Sequence, residues 1–95
     1  MACKHAVEGL TKSAALETAA FNIRVNAVAP GPIQIEMLDR ITGSESGKAA
    51  MLATVPLKRA GMPEEIADAI IFVASEKASF MTGEVLRVNG GRTAA

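Results

Sequence analysis

The chain is expected to fold as an α/β protein around a parallel strand–helix–strand unit, and three segments of its 95 residues carry that expectation. The first is Ile23–Ala29, a mostly apolar run in which Val25, Ala27, Val28 and Ala29 occupy both faces. Apolar residues on both faces describe a strand covered on both sides, as in a parallel sheet. The second is Pro63-Glu64-Glu65, a strong helix start, with proline in the first turn and acids at the positive end of the helix dipole. The third is Glu84–Val88, a short strand that ends in Asn89-Gly90-Gly91. A strand, a helix and a second strand in that order form a βαβ unit, expected to be right-handed.

Taken in order, residues 3–20 are expected to form an alanine-rich helix. Ala2, Ala6, Gly9, Ser13 and Leu16 recur at three- and four-residue steps, and Val7, Leu10 and Ala14 make a second stripe that Phe21 continues. Two stripes imply a helix buried on two sides, by its own sheet and by another subunit. Glu8 and Lys12 form a favourably ordered i,i+4 pair, and Asn22 suits a left-handed helix end. The strand at 23–29 follows. Residues 34–54 make a mixed excursion with a Thr-Gly-Ser-Glu-Ser-Gly punctuation at 42–47, expected to hold one or two short helices. Val55-Pro56-Leu57 returns the chain to the body. Ile66, Ala69, Ile70 and Val73 give the helix after Pro63 its apolar face, and residues 79–83 turn into the last strand.

Composition narrows the function. Apolar residues make up 49% and charged residues 21%, a globular balance. Ten basic and ten acidic residues cancel, and no basic stripe appears, which argues against a nucleic-acid partner. The longest purely apolar run, Ala69–Ala74, is far too short to cross a bilayer, and Lys4, His5 and Glu8 interrupt any signal-peptide core. The single Cys3 cannot form an internal disulfide, which fits a reducing cytoplasm. No metal-ligand cluster is expected.

Pro30-Gly31-Pro32-Ile33 stands at the carboxyl end of the first strand, where open α/β sheets bind ligands. Glycine there lets backbone approach a ligand closely. The whole chain resembles the C-terminal third of a short-chain dehydrogenase/reductase. The resemblance runs from Lys4-His5-Ala6-Val7 through Arg24-Val25-Asn26 and Pro30-Gly31 to Pro63-Glu64-Glu65-Ile66-Ala67 and Gly83-Glu84-Val85-Leu86…Gly90-Gly91. It implies that residues 1–95 are the truncated C-terminal part of an NAD(P)-binding domain. The fold would be part of a Rossmann-like doubly wound parallel sheet, with the 34–54 excursion as substrate lid.

The resemblance also implies roles for particular residues. Lys4 occupies the place of the family's catalytic lysine, which bonds the nicotinamide ribose and lowers the pKa of a tyrosine four residues earlier. That spacing stacks the two side chains on one helix face. Here the tyrosine would precede Met1, the chain contains no tyrosine, and the family's serine and glycine-rich phosphate loop have no counterpart. For Lys4 in this chain alone, the plain alternative is a solvated lysine in a first turn. Pro30, Gly31, Pro32 and Ile33 would meet the cofactor, Ile33 through its backbone. Ile35 stands where the family often has a threonine, and its side chain donates no hydrogen bond. Met37, Leu38 and Met51 would lie in the lid, facing either a small apolar pocket or ordinary helix packing. His5 and Cys3 are read as ordinary helix residues, Arg59 as structural, and Gly90-Gly91 as a site of close packing or a tight turn near a subunit interface.

Two functions follow. One is hydride transfer between NAD or NADP and a small-molecule alcohol or carbonyl, the property of an intact family enzyme. The other is a non-catalytic remnant or oligomerisation module, inactive alone and pairing with itself or with an intact relative. Lys4 is expected to face the Pro30–Ile33 turn. The chain alone is expected to associate or pack loosely, because an apolar strand edge and one helix face would lack partners.

Overall fold

A computed structural model describes residues 2–34, 40 and 43–94. The chain divides into two compact units, one of residues 1–28 and 69–86, the other of residues 29–68 and 87–95. The described elements are helix α1 (Ala2–Thr18), a 3-10 turn (Ala19–Phe21), strand β1 (Ala27–Pro30), helix α2 (Glu45–Ala53), helix α3 (Pro63–Ala74), a 3-10 turn (Glu76–Ala78) and strand β2 (Val85–Val88). Strands β1 and β2 pair in a two-stranded sheet. The Ala27 N–H donates to the Glu84 carbonyl at 2.9 Å and the Gly31 N–H to the Val88 carbonyl at 3.0 Å. The paired positions advance together along both strands, so the sheet is parallel, as the strand–helix–strand order requires.

In the first unit, α1 ends as its sequence implies. Asn22 adopts φ 59 and ψ 36, and its N–H closes onto the Ala19 carbonyl at 3.0 Å. The buried face of α1 differs from the expected two stripes. Thr11 and Ala15 are buried at 7% and 2% exposure, whereas Val7, Leu10, Leu16 and Phe21 are exposed. Side-chain size explains the choice. A Cβ added at Gly83 would lie 3.4 Å from the Ala15 Cβ, so the loop before β2 passes close over a helix face of small residues. Thr11 can face inward because its hydroxyl donates to the Val7 carbonyl at 2.7 Å, which satisfies the buried polar group.

The expected strand at 23–29 is shorter, beginning only at Ala27. The preceding residues bond through side chains instead. The Arg24 guanidinium donates to the carbonyls of Val73 (2.9 Å), Met81 (3.2 Å) and Ser75 (3.1 Å). It thereby caps the C-terminus of α3 with a cation at the negative end of the dipole. The Asn26 amide donates to the Met81 carbonyl at 3.0 Å and accepts from the Glu84 N–H at 3.1 Å. Residues 27–29 of β1 are half-buried, so the strand is less covered than its two apolar faces suggested. The sheet supplies a neighbour only through β2 among the described residues.

In the second unit, Ser44 caps α2, its hydroxyl accepting from the Gly47 N–H at 3.0 Å. Arg40 of the expected excursion is helical as well; Ile35, Met37 and Leu38 lie outside the described residues. Helix α3 begins at Pro63 as expected, with Glu64 and Glu65 in its first turn. Ile66 and Ala69 are half-buried and Val73 is buried, while Ile70 is exposed. Val55, at 1% exposure, is the most buried large side chain among the described residues. Among those residues no helix is long and apolar enough to cross a membrane.

Candidate functional site: a turn held by three glycines

β1 ends in the Pro30–Ile33 turn. Gly31 is required there by contact: a Cβ at this position would lie 2.8 Å from both Cα and Cβ of Asn89. The turn that follows β2 is equally tight. Gly90 has φ 64, and a Cβ added to it would meet Val55 Cγ1 at 2.6 Å. Its carbonyl accepts from the Leu57 N–H at 3.1 Å. Gly90-Gly91 thus serves close packing, as expected; Asn89 orients the turn by accepting from the Gly91 N–H at 3.1 Å.

A third glycine grips the other end of the turn. Gly61 donates its N–H to the Pro32 carbonyl at 2.8 Å and accepts the Gln34 N–H at 2.8 Å. These two bonds make a parallel bridge between Ile33 and Gly61. Pro32 is buried and Ile33 half-buried. Beside them lies a cavity of about 410 Å³, with Pro32, Leu57, Arg59, Gly61, Glu65 and Arg87 among its lining residues.

Arg59 and Glu65, both among the residues lining this cavity, form a two-pronged ion pair. Nη1 reaches Oε1 at 2.8 Å and Nη2 reaches Oε2 at 3.0 Å. Glu65 Oε1 also accepts the Met62 N–H at 2.9 Å, capping α3. The hydrogen bond from Arg59 and then that from the Met62 N–H hold the Glu65 carboxyl down at about 2, and the same Arg59–Glu65 bond raises the guanidinium. Arg59 is thus engaged with Glu65 through both of its terminal nitrogens.

The remaining expected site residues fall elsewhere. Lys4 is exposed in the first turn of α1 and belongs to the first unit, while the Pro30–Ile33 turn belongs to the second. Its approach to the turn stays a proposal. Met51 is half-buried in α2. His5 and Cys3 are exposed on α1. Sequence reasoning missed Gly61 and Asn89 and saw in Glu65 only a dipole acid. The spacing of Glu65 three residues after Met62 was the available signal for the cap.

The chain matches the family model described as enoyl-(acyl carrier protein) reductase over residues 1–93. It is 51% identical over 89 residues to a 3alpha-hydroxysteroid dehydrogenase of Mediterraneibacter gnavus, covering 94% of this chain and 35% of that protein. A solved structure from Agrobacterium tumefaciens with bound NADP superposes with a TM-score of 0.92 at 40% identity, covering 99% of this chain and 38% of the other. A 4-hydroxyisoleucine dehydrogenase complexed with NADH gives 0.88 at 38% identity, covering 99% and 39%. The chain thus spans between a third and two fifths of the length of these three proteins. Its parallel strand–helix–strand unit is that of an NAD(P)-binding Rossmann fold, and the chain belongs to the short-chain dehydrogenase/reductase family.

Proposed function

We propose that the chain forms part of an NAD(P)-dependent oxidoreductase in which the Pro30–Ile33 turn receives the nicotinamide end of the cofactor. One observation carries this reading. The hydrogen bonds to Gly61 come from residues 32 and 34 and bracket Ile33 without using it. In a parallel bridge the bracketed residue turns its own N–H and C=O to the opposite side. Ile33 thus presents a backbone donor and acceptor, a set that fits a primary carboxamide. Gly31, with no side chain, lets the turn lie directly against Asn89, which fixes the backbone leading to Ile33. NAD or NADP, when bound, supplies the hydride chemistry, and the protein supplies orientation and electrostatics.

In this proposal Lys4 bonds the ribose hydroxyls and, as a cation, favours the ionised form of a tyrosine phenol. These 95 residues contain no tyrosine, so the chain by itself lacks that acid/base. Ile35 adds no side-chain hydrogen bond. Met37, Leu38 and Met51 border the substrate, a small-molecule alcohol or carbonyl. Association with another copy or with an intact relative, and a reducing cytoplasmic setting suggested by the lone Cys3, complete the reading.

Calorimetric titration with NADH and NADPH tests it. Ile33→Pro removes one N–H while both bridge bonds keep their atoms. The expected result is weak saturable binding, since these 95 residues hold no glycine-rich phosphate loop, that this variant weakens roughly tenfold further, the scale of one lost hydrogen bond, with no turnover of NADH. Affinity indifferent to Ile33→Pro, or turnover that Lys4→Ala abolishes in this tyrosine-free chain, would overturn the reading.

A further inference from the structure

The Arg59–Glu65 pair has a consequence for the turn that lies beyond helix capping. Gly61 C=O and Met62 N–H belong to one planar peptide group and point in opposite directions. The Met62 N–H of that group is held by Glu65 Oε1 at 2.9 Å. Its carbonyl is the acceptor for the Gln34 N–H at 2.8 Å. The peptide cannot rotate to break one bond without breaking the other. Arg59 in turn fixes the carboxylate by its two-pronged contact at 2.8 and 3.0 Å.

We propose that Arg59 and Glu65 are positioning residues for the candidate cofactor turn, acting through the Gly61–Met62 peptide. The inference rests on the reading of Pro30–Ile33 as that turn. Three observations support it. The pair is exposed, with side chains 55% and 43% accessible, and exposed ion pairs add little to overall stability. A purely stabilising role is therefore a poor account of a carboxylate that gathers three donors. Residue 61 is a glycine whose would-be Cβ lies 3.1 Å from Ile33 Cδ1, so the Ile33 side chain packs over the bridge itself. Finally, the Ile33 carbonyl shares its peptide group with the Gln34 N–H, so its aim follows from the bond of that N–H to the 61–62 peptide.

Amide hydrogen exchange of the full chain, resolved at residues 34 and 61, reads the coupling. Ala27 in the first unit, whose N–H bonds Glu84, is the internal reference. In Glu65→Ala the Gln34 and Gly61 amides should exchange at least about tenfold faster, with Ala27 unchanged, as in local rather than global opening. Glu65→Gln keeps an acceptor for Met62 N–H and should restore most of the protection; Arg59→Lys should fall between. NADH affinity should follow the same order. Faster exchange confined to α3 amides 66–68, with 34 and 61 unchanged, would reduce Glu65 to a helix cap and overturn the proposal. So would a loosened bridge with unaltered NADH affinity. If Glu65→Ala does not fold, the Glu65→Gln and Arg59→Lys pair decides by the same two amides. Should the unmutated chain bind no NADH, the cofactor reading fails, while the exchange at residues 34 and 61 still decides whether the pair positions the turn.

Discussion

The two units hold themselves together by different means. In the first, polar side chains reach backbone carbonyls and one backbone N–H. Arg24 ties residues 73, 75 and 81, and Asn26 ties 81 and 84. In the second, the chain packs closely at glycines, Gly31 against the Asn89 backbone and Gly61 and Gly90 against the side chains of Ile33 and Val55. Side-chain lacing tolerates small displacements because a guanidinium has several donors and a flexible stem. Close packing at a glycine does not, since a single added carbon would lie only 2.8 Å from Asn89 at Gly31 and 2.6 Å from Val55 at Gly90. The less forgiving construction surrounds the turn where a ligand would need fixed backbone donors.

The largest effect should come from the lacing. Arg24→Ala removes three charge-assisted bonds and leaves the end of α3 uncapped. It should cost about 1.5–3 kcal/mol in urea denaturation, with amides around residues 24–27 and 81–84 opening first. A loss spread evenly over both units would erase the contrast between them.

The glycines sharpen the comparison. Gly31→Ala should cost about 1–3 kcal/mol, the usual range for overpacking, and should perturb the amides of residues 88–91. Gly9 in α1 is the control, because nothing lies within 4 Å of its would-be Cβ. Gly9→Ala should stabilise the chain by about 0.8–1.0 kcal/mol through helix propensity. Equal effects at both glycines would mean that Asn89 yields easily.

The smallest effect is that of pH on the Arg59–Glu65 pair. The Glu65 carboxyl sits at about 2 against an ordinary 4.5. Its pKa is depressed, so its contribution is fully present above pH 4.5 and is lost as pH falls towards 2. Protection of the Gln34 amide, corrected for intrinsic exchange, should be flat from neutrality to that point and decline below it. Decline between pH 7 and 5 would implicate some other group.

Much of this was readable from residue types. The left-handed Asn22, the start of α3 at Pro63 and the second strand all follow from local chemistry. The buried face of α1 did not, because hydropathy ranks Leu10 and Leu16 above Thr11 and Ala15. Close approach by the loop at Gly83 selected the small residues instead. The strand was overextended because Arg24 and Asn26 bond through side chains, which no period of apolar residues reveals. The turn was legible as a site from Pro30-Gly31-Pro32 at a strand end. Its grip by Gly61 was not, since that bridge joins positions far apart in sequence with no shared motif. Lys4 was singled out through the family resemblance alone.

The central claim is that the Ile33 backbone is the point of contact with a nicotinamide. It is tested most directly by intermolecular nuclear Overhauser effects between NADH and the isotopically labelled chain. The account predicts contacts from the nicotinamide ring and carboxamide protons to the Ile33 amide and the Gly31 α-protons, lost in Ile33→Pro. Nicotinamide contacts confined to other residues, with Gly31 and Ile33 silent at saturating NADH, would contradict it.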